Sequence, residues 1–162
     1  MLVGVPKEIK VLEHRVGLTP ASVREVVHHG HQAIVERDAG QGIGASDDDY
    51  ARAGATIAAT ASEVWAKAQM IVKVKEPQAA ERALLKPGQL LFTYLHLAPD
   101  PAQTKDLVAG GAICIAYETV TSPSGGLPLL APMSEVAGRM AVQAGAHYLE
   151  KAHGGKGILL GG

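Results

Sequence analysis

Met70-Ile71-Val72-Lys73-Val74-Lys75-Glu76-Pro77 is a short apolar run that closes on a lysine, a carboxylate and a proline. Continuous Val/Ile runs of this length suit strands covered on both faces, as in parallel sheets. Similar runs occur at residues 2–6, 32–37, 56–58, 89–95 and 112–117. Helix signals fall between them. Thr19 can cap a helix with Pro20 at its first position, Val23, Val26 and Val27 form one face, and Gly30 stops it. Thr60 and Glu63 have the spacing of a capping box before Val64 and Trp65. Asp100-Pro101 opens a further helix that ends near Gly110-Gly111. Strands alternating with helices predict an α/β fold: Rossmann-like (flavodoxin-like), with a mainly parallel sheet and helices on both faces. A long linking helix follows, from Pro132 to about Lys151. Its Gly138 and Gly145 predict close backbone packing, against a second subunit or against the chain's own sheet.

Three of the strand-like runs lead to a residue that can bind an anion or move a proton. The run at 70–74 leads to Lys75, the run at 89–95 leads to His96, and the run at 2–6 leads into a polar loop containing Arg15. In a parallel sheet the strand ends of one polarity share an edge, and ligands bind in the crevice there. Arginine offers a planar fork matching a carboxylate. An imidazole titrates near 6.5 and so exchanges protons near neutrality. Two cations and an imidazole at one edge point to a small carboxylate on which protons are transferred. Lys73 competes with Lys75, because the two share a strand face. Lys75 is favoured by its place at the strand end, beside Glu76-Pro77.

Bulk properties exclude several alternatives. Fifteen Lys and Arg against sixteen Asp and Glu give a net charge of −1, which is not the basic footprint of a nucleic-acid binder. No apolar run reaches membrane-spanning length. The N-terminus lacks the order of a signal peptide. The single Cys114 cannot form an internal disulfide and reads as a buried thiol, which fits a reducing, cytoplasmic setting.

Other motifs carry less. Gly40-Gln41-Gly42-Ile43-Gly44-Ala45 fits G-x-G-x-x-A, but the helix after it opens Ser46-Asp47-Asp48-Asp49, whose carboxylates would repel a diphosphate. Gly154-Gly155-Lys156-Gly157 lacks the Ser or Thr that a phosphate loop needs after its lysine. His28-His29-Gly30-His31 reads as a solvated helix end, so no metal site is assigned.

In combination, further motifs resemble the alanine dehydrogenases. They are Val5-Pro6-Lys7-Glu8, Arg15-Val16-Gly17-Leu18-Thr19-Pro20, Val72-Lys73-Val74-Lys75-Glu76-Pro77, Phe92-Thr93-Tyr94-Leu95-His96-Leu97-Ala98 and Ala116-Tyr117-Glu118-Thr119-Val120. The segment from Leu129 to Arg139 and the tail from His153 to Gly162 match as well. The resemblance implies an enzyme that interconverts L-alanine and pyruvate plus ammonia with NAD. It implies Arg15 and Lys75 as substrate-binding residues and His96 as the catalytic acid/base. Ser134 would lie by the nicotinamide, with Met133 lining the site. The implied division is a substrate domain at 1–130 and, at 131–162, the linking helix with the start of an NAD-binding domain. On that reading the chain is a fragment, inactive alone, whose 132–151 helix serves homo-oligomer contact. The alternatives are the NAD-binding region of a proton-translocating transhydrogenase, which is similar, and a non-catalytic assembly module.

Overall fold

The computed structural model describes residues 1–161. They form two compact units, divided along the chain after Thr119. The first unit holds six strands: β1 (Leu2–Val5), β2 (Gln32–Glu36), β3 (Thr56–Ala58), β4 (Met70–Val72), β5 (Leu90–Thr93) and β6 (Ile113–Ala116). They make one sheet in the order β3-β2-β1-β4-β5-β6, and every pairing is parallel. The chain winds outward from β1 to β3, then crosses back and winds outward from β4 to β6. That reversal places the topological switch point between β1 and β4, where a crevice opens beyond the strand ends.

The helices are α1 (Pro20–His28), α2 (Asp47–Arg52), α3 (Ala61–Lys67), α4 (Ala79–Arg82) and α5 (Pro101–Gly110). Their ends follow the sequence signals. The Thr19 hydroxyl accepts from the Ser22 amide, and Asp100 accepts from that of Gln103. Gly111 closes α5 at φ +66°, a conformation that favours glycine. At α3 the Thr60 hydroxyl accepts from Glu63 N–H, but the Glu63 carboxylate accepts from Ala59, one residue before the cap.

Alternation along β2 separates two cores. Ala33 and Val35 join Val5, Val23 and Tyr50 beneath α1 and α2, whereas Ile34 joins Trp65, Ile71, Leu91 and Leu107 beneath α3 and α5. Both faces of the central strands are thus covered. β6 departs from the expected two-sided burial, because it is an edge strand with Ile113 and Ile115 exposed. Cys114 is half-buried rather than buried, and burial pushes its thiol pKa up.

The second unit is dominated by α6 (Ala131–Leu149). A Cβ added at Gly138 or Gly145 would meet nothing within 4 Å. No close approach to these glycines is made within the described chain, which leaves the packing against a second subunit untouched. No residue of α6 is buried. No described helix is long and apolar enough to cross a membrane.

Candidate active site

The carboxyl ends of β1, β4 and β5 carry the residues singled out in the sequence. Beyond β1, Glu8 turns back toward β4. Its Oε1 accepts from Val74 N–H at 2.6 Å and from Lys75 N–H at 3.4 Å. Its Oε2 pairs with Lys73 Nζ at 3.0 Å. Lys73 also meets Glu81 of α4 at 2.8 Å, and its side chain is fully buried. Two carboxylates around one buried ammonium leave a formal charge of −1. Burial pushes the Glu81 pKa up against the pull of Lys73. The two lysines thereby divide their tasks. Lys73 is a structural ion beneath the strand end. Lys75 is half-buried above it, and its ammonium makes no hydrogen bond or ion pair among the described residues.

Lys75 is fixed through its backbone on both sides. Its N–H meets Glu8, and its carbonyl accepts from the Thr93 hydroxyl of β5 at 2.9 Å. A carboxylate taking backbone N–H groups makes charge-assisted bonds, roughly twice as strong as neutral ones.

A second carboxylate does the same for β5. Glu118, just beyond β6, accepts from Leu95 N–H at 3.1 Å and from His96 N–H at 2.7 Å. The Gln103 amide donates to the Leu95 carbonyl at 2.6 Å. His96 itself sits at φ +48°, in the left-handed region. A residue with a side chain costs about 1–2 kcal/mol there, so the bonds to Glu118 hold a conformation the chain would otherwise leave. Its ring is exposed and makes no hydrogen bond among the described residues.

Arg15 reaches the same edge from the loop after β1. Gly17 sets the position of that loop, because a Cβ there would stand 2.3 Å from the Val72 carbonyl oxygen of β4. Gly42 presses from the other side, where a Cβ would stand 2.1 Å from the His14 oxygen. The glycines of the 40–45 turn thus serve close packing against the Arg15 loop. The turn's next helix, α2, has its first amides taken by a Ser46–Asp49 capping box.

The Arg15 fork is paired with Glu13, Nε to Oε1 at 2.8 Å and Nη2 to Oε2 at 2.5 Å. Hydrogen bonding from Arg15 holds the Glu13 carboxyl down at about 2, despite burial. The same pairing raises the Arg15 pKa. Tyr94, directly after β5, stands in the field of both Arg15 and Glu118. Burial raises its phenol pKa and Arg15 opposes the shift. A cleft of about 360 Å³ is lined by Glu8, Glu13, Arg15, Asp38 and Gln41 among others. Arg15 lines it, and Lys75 and His96 do not figure among its described lining residues.

Ser134 and Met133 lie in the second unit, on the first turn of α6. The Ser134 hydroxyl is exposed, and its backbone N–H bonds to the Leu130 carbonyl at 3.1 Å.

A family model described as alanine dehydrogenase/PNT, N-terminal domain, matches residues 4–137. The chain belongs to this family. It is 62% identical to an alanine dehydrogenase of Halomonas elongata over 162 residues, 100% of the chain and 44% of that protein. It is 57% identical to an alanine dehydrogenase of Methanococcus maripaludis, again over its full length and 43% of that protein. Among solved structures, an L-alanine dehydrogenase superposes with a TM-score of 0.89 at 53% identity, covering 100% of this chain and 45% of that one. A transhydrogenase from Sinorhizobium meliloti superposes less closely, with a TM-score of 0.69 at 27% identity over 73% of this chain and 35% of that one. The chain therefore spans less than half the length of the alanine dehydrogenases it matches.

Proposed function

We propose that this chain is the substrate-side domain of an NAD-dependent L-alanine dehydrogenase. The observation that carries the reading is the pair of carboxylate clamps. Glu8 and Glu118 each fix a neighbouring strand end through its own amides, and those ends bear Lys75 and His96. Such fixation suits residues whose position matters more than their packing.

On this reading Arg15 and Lys75 hold the carboxylate and oxo group of the substrate. NAD would supply the hydride acceptor for the alanine α-carbon; residues outside this chain would hold most of it, with Ser134 as this chain's contribution. Loss of hydride leaves an iminium, to which water adds. The carbinolamine then loses ammonia to give pyruvate. His96 takes one proton from the adding water and returns it to the nitrogen; on collapse the hydroxyl proton passes to the departing ammonia, which leaves as ammonium. Lys75 polarises the oxygen that becomes the carbonyl.

A chimera tests the reading: residues 1–162 joined to the remaining sequence of the Halomonas elongata relative. L-alanine-dependent formation of NADH is expected. A folded chimera that binds NAD but leaves L-alanine unoxidised, or that instead exchanges hydride between nicotinamide nucleotides, would favour the transhydrogenase reading.

Glu13 occupies the Arg15 fork, so the substrate carboxylate has to share it. Glu13→Gln removes a charge that stays ionised above a pH of about 2. Pyruvate should then bind the chimera about two- to fivefold more tightly, the range of a partly exposed ion pair. Pyruvate inhibition of alanine oxidation measures this, and weaker binding would make Glu13 a support for Arg15 rather than a rival.

Self-association through α6 is a further part of the proposal. Val136, Met140, Val142 and Tyr148 are all more than half exposed on a helix with no buried residue. Light scattering on the chain should give the mass of an oligomer, and Met140→Glu should shift it to that of a monomer. A monomeric parent chain would refute this part.

A further inference from the structure

Histidine and carboxylate side chains converge at the end of α6, far along the chain from Arg15, Lys75 and His96. The set is His147, in the last turn of the helix, Glu150, at its cap, and His153, in the short 3-10 turn over Lys151–His153. One donor atom from each lies within 4.8 Å of the others, and no second such grouping of three or more His, Cys, Asp or Glu occurs among the described residues. We infer that His147, Glu150 and His153 form a binding site for a divalent transition-metal ion of the zinc class.

The geometry is close to a coordinating one. His153 Nδ1 stands 3.3 Å from Glu150 Oε2. Two donors about 2.1 Å from one ion, at the tetrahedral angle, stand about 3.4 Å apart. The His147 and His153 rings lie 3.7 Å centroid to centroid at 38°, so both imidazoles are on the same side of the turn. All three side chains are exposed and can rotate the remaining distance onto an ion without disturbing a core.

The backbone beneath the set is already fixed. Glu150 N–H donates to the His147 carbonyl at 3.3 Å, and His153 N–H donates to the Glu150 carbonyl at 3.1 Å. The three residues are therefore joined to one another by two hydrogen bonds. The glycines that follow lock the turn over the helix end. Gly155 N–H reaches the Glu150 carbonyl at 2.9 Å, and Gly157 N–H reaches the Leu149 carbonyl at 2.8 Å. Gly155 has no room for a Cβ, which would stand 2.3 Å from the Tyr148 oxygen. The negative end of the helix dipole also favours a cation there.

Two imidazoles and one carboxylate suit zinc, cobalt or nickel, whereas magnesium and calcium take oxygen ligands. Three protein donors leave a fourth position for water. The ion would tie α6 to the turn that leaves it. The local sequence hides this set, because its ligands are spaced three apart across a helix end. The more conspicuous run His28-His29-Gly30-His31 is engaged elsewhere: His29 Nδ1 contacts the Glu25 carbonyl and His31 Nδ1 the Met1 amine.

The test uses the tag-free chain of residues 1–162, titrated with Co²⁺ and read by its visible ligand-field bands, and with Zn²⁺ by calorimetry. One saturable equivalent per chain is expected. An outer-shell partner of a metal site is worth about ten- to a hundredfold in affinity, so His147→Ala, His153→Ala and Glu150→Gln should each cost tenfold or more. His28→Ala and His31→Ala should leave affinity unchanged. Far-UV circular dichroism confirms that each variant stays folded. Absence of saturable binding overturns the inference, as does a His147→Ala/His153→Ala double variant that binds as the parent does. Loss of binding on His31→Ala alone would place the ion at the N-terminus and overturn it equally.

Discussion

Lys73→Met should destabilise the chain by about 3–5 kcal/mol, the usual cost of removing one partner from a buried ion pair. Lys73 is fully buried between Glu8 at 3.0 Å and Glu81 at 2.8 Å. Methionine fills its volume but leaves two carboxylates facing each other out of water. Glu8 would keep its bonds from Val74 and Lys75, and Glu81 its bond from Gln78 N–H at 2.8 Å. Neither bond offsets the lost ammonium. Domains are stable by only about 5–15 kcal/mol, so the variant should show a large drop in denaturant midpoint. Adding Glu81→Leu should recover much of the loss, because an apolar replacement of a buried pair is often neutral. A midpoint unchanged by Lys73→Met would mean that Lys73 is solvated and that Lys75 need not be the exposed lysine of the two.

The choice between those lysines shows where sequence reading reaches its limit. Both point to one strand face, and position alone favours Lys75. What separates them is Glu8, 65 residues away from Lys73, and Glu81 on α4. No local pattern encodes that. The strands, by contrast, were legible because a parallel strand covered on both faces is mostly apolar, as 70–72 and 90–92 are. Edge strand β6 carries the same composition with one face exposed, since Ile113 and Ile115 are no less β-forming at an edge. Arg15, Lys75 and His96 were legible as strand-end residues. Glu118 and Tyr94 were not, because a carboxylate that accepts backbone amides looks like any other carboxylate in sequence. A carboxylate just beyond a strand of a parallel sheet, facing a neighbouring strand end, is the signal that was available. Gly138 and Gly145 were legible only as places where a close approach is permitted, since glycine spacing on a helix does not say which element makes it.

His96→Ala should lower turnover of the chimera by about 10²–10⁴-fold, the span of a lost general acid/base, with its fold intact because the ring is exposed and makes no hydrogen bond among the described residues. Alanine also relieves none of the backbone strain at φ +48°, so stability should change little. A separate variant distinguishes the ring from its mounting. Glu118→Ala removes the acceptor from the Leu95 and His96 amides at 3.1 and 2.7 Å and frees His96 to leave the left-handed region. The imidazole is then present but unheld. Turnover should fall by less than in His96→Ala. If His96→Ala leaves turnover near that of the parent chimera, the acid/base lies elsewhere, and Tyr94, whose phenol stands in the field of Arg15 and Glu118, becomes the residue to test.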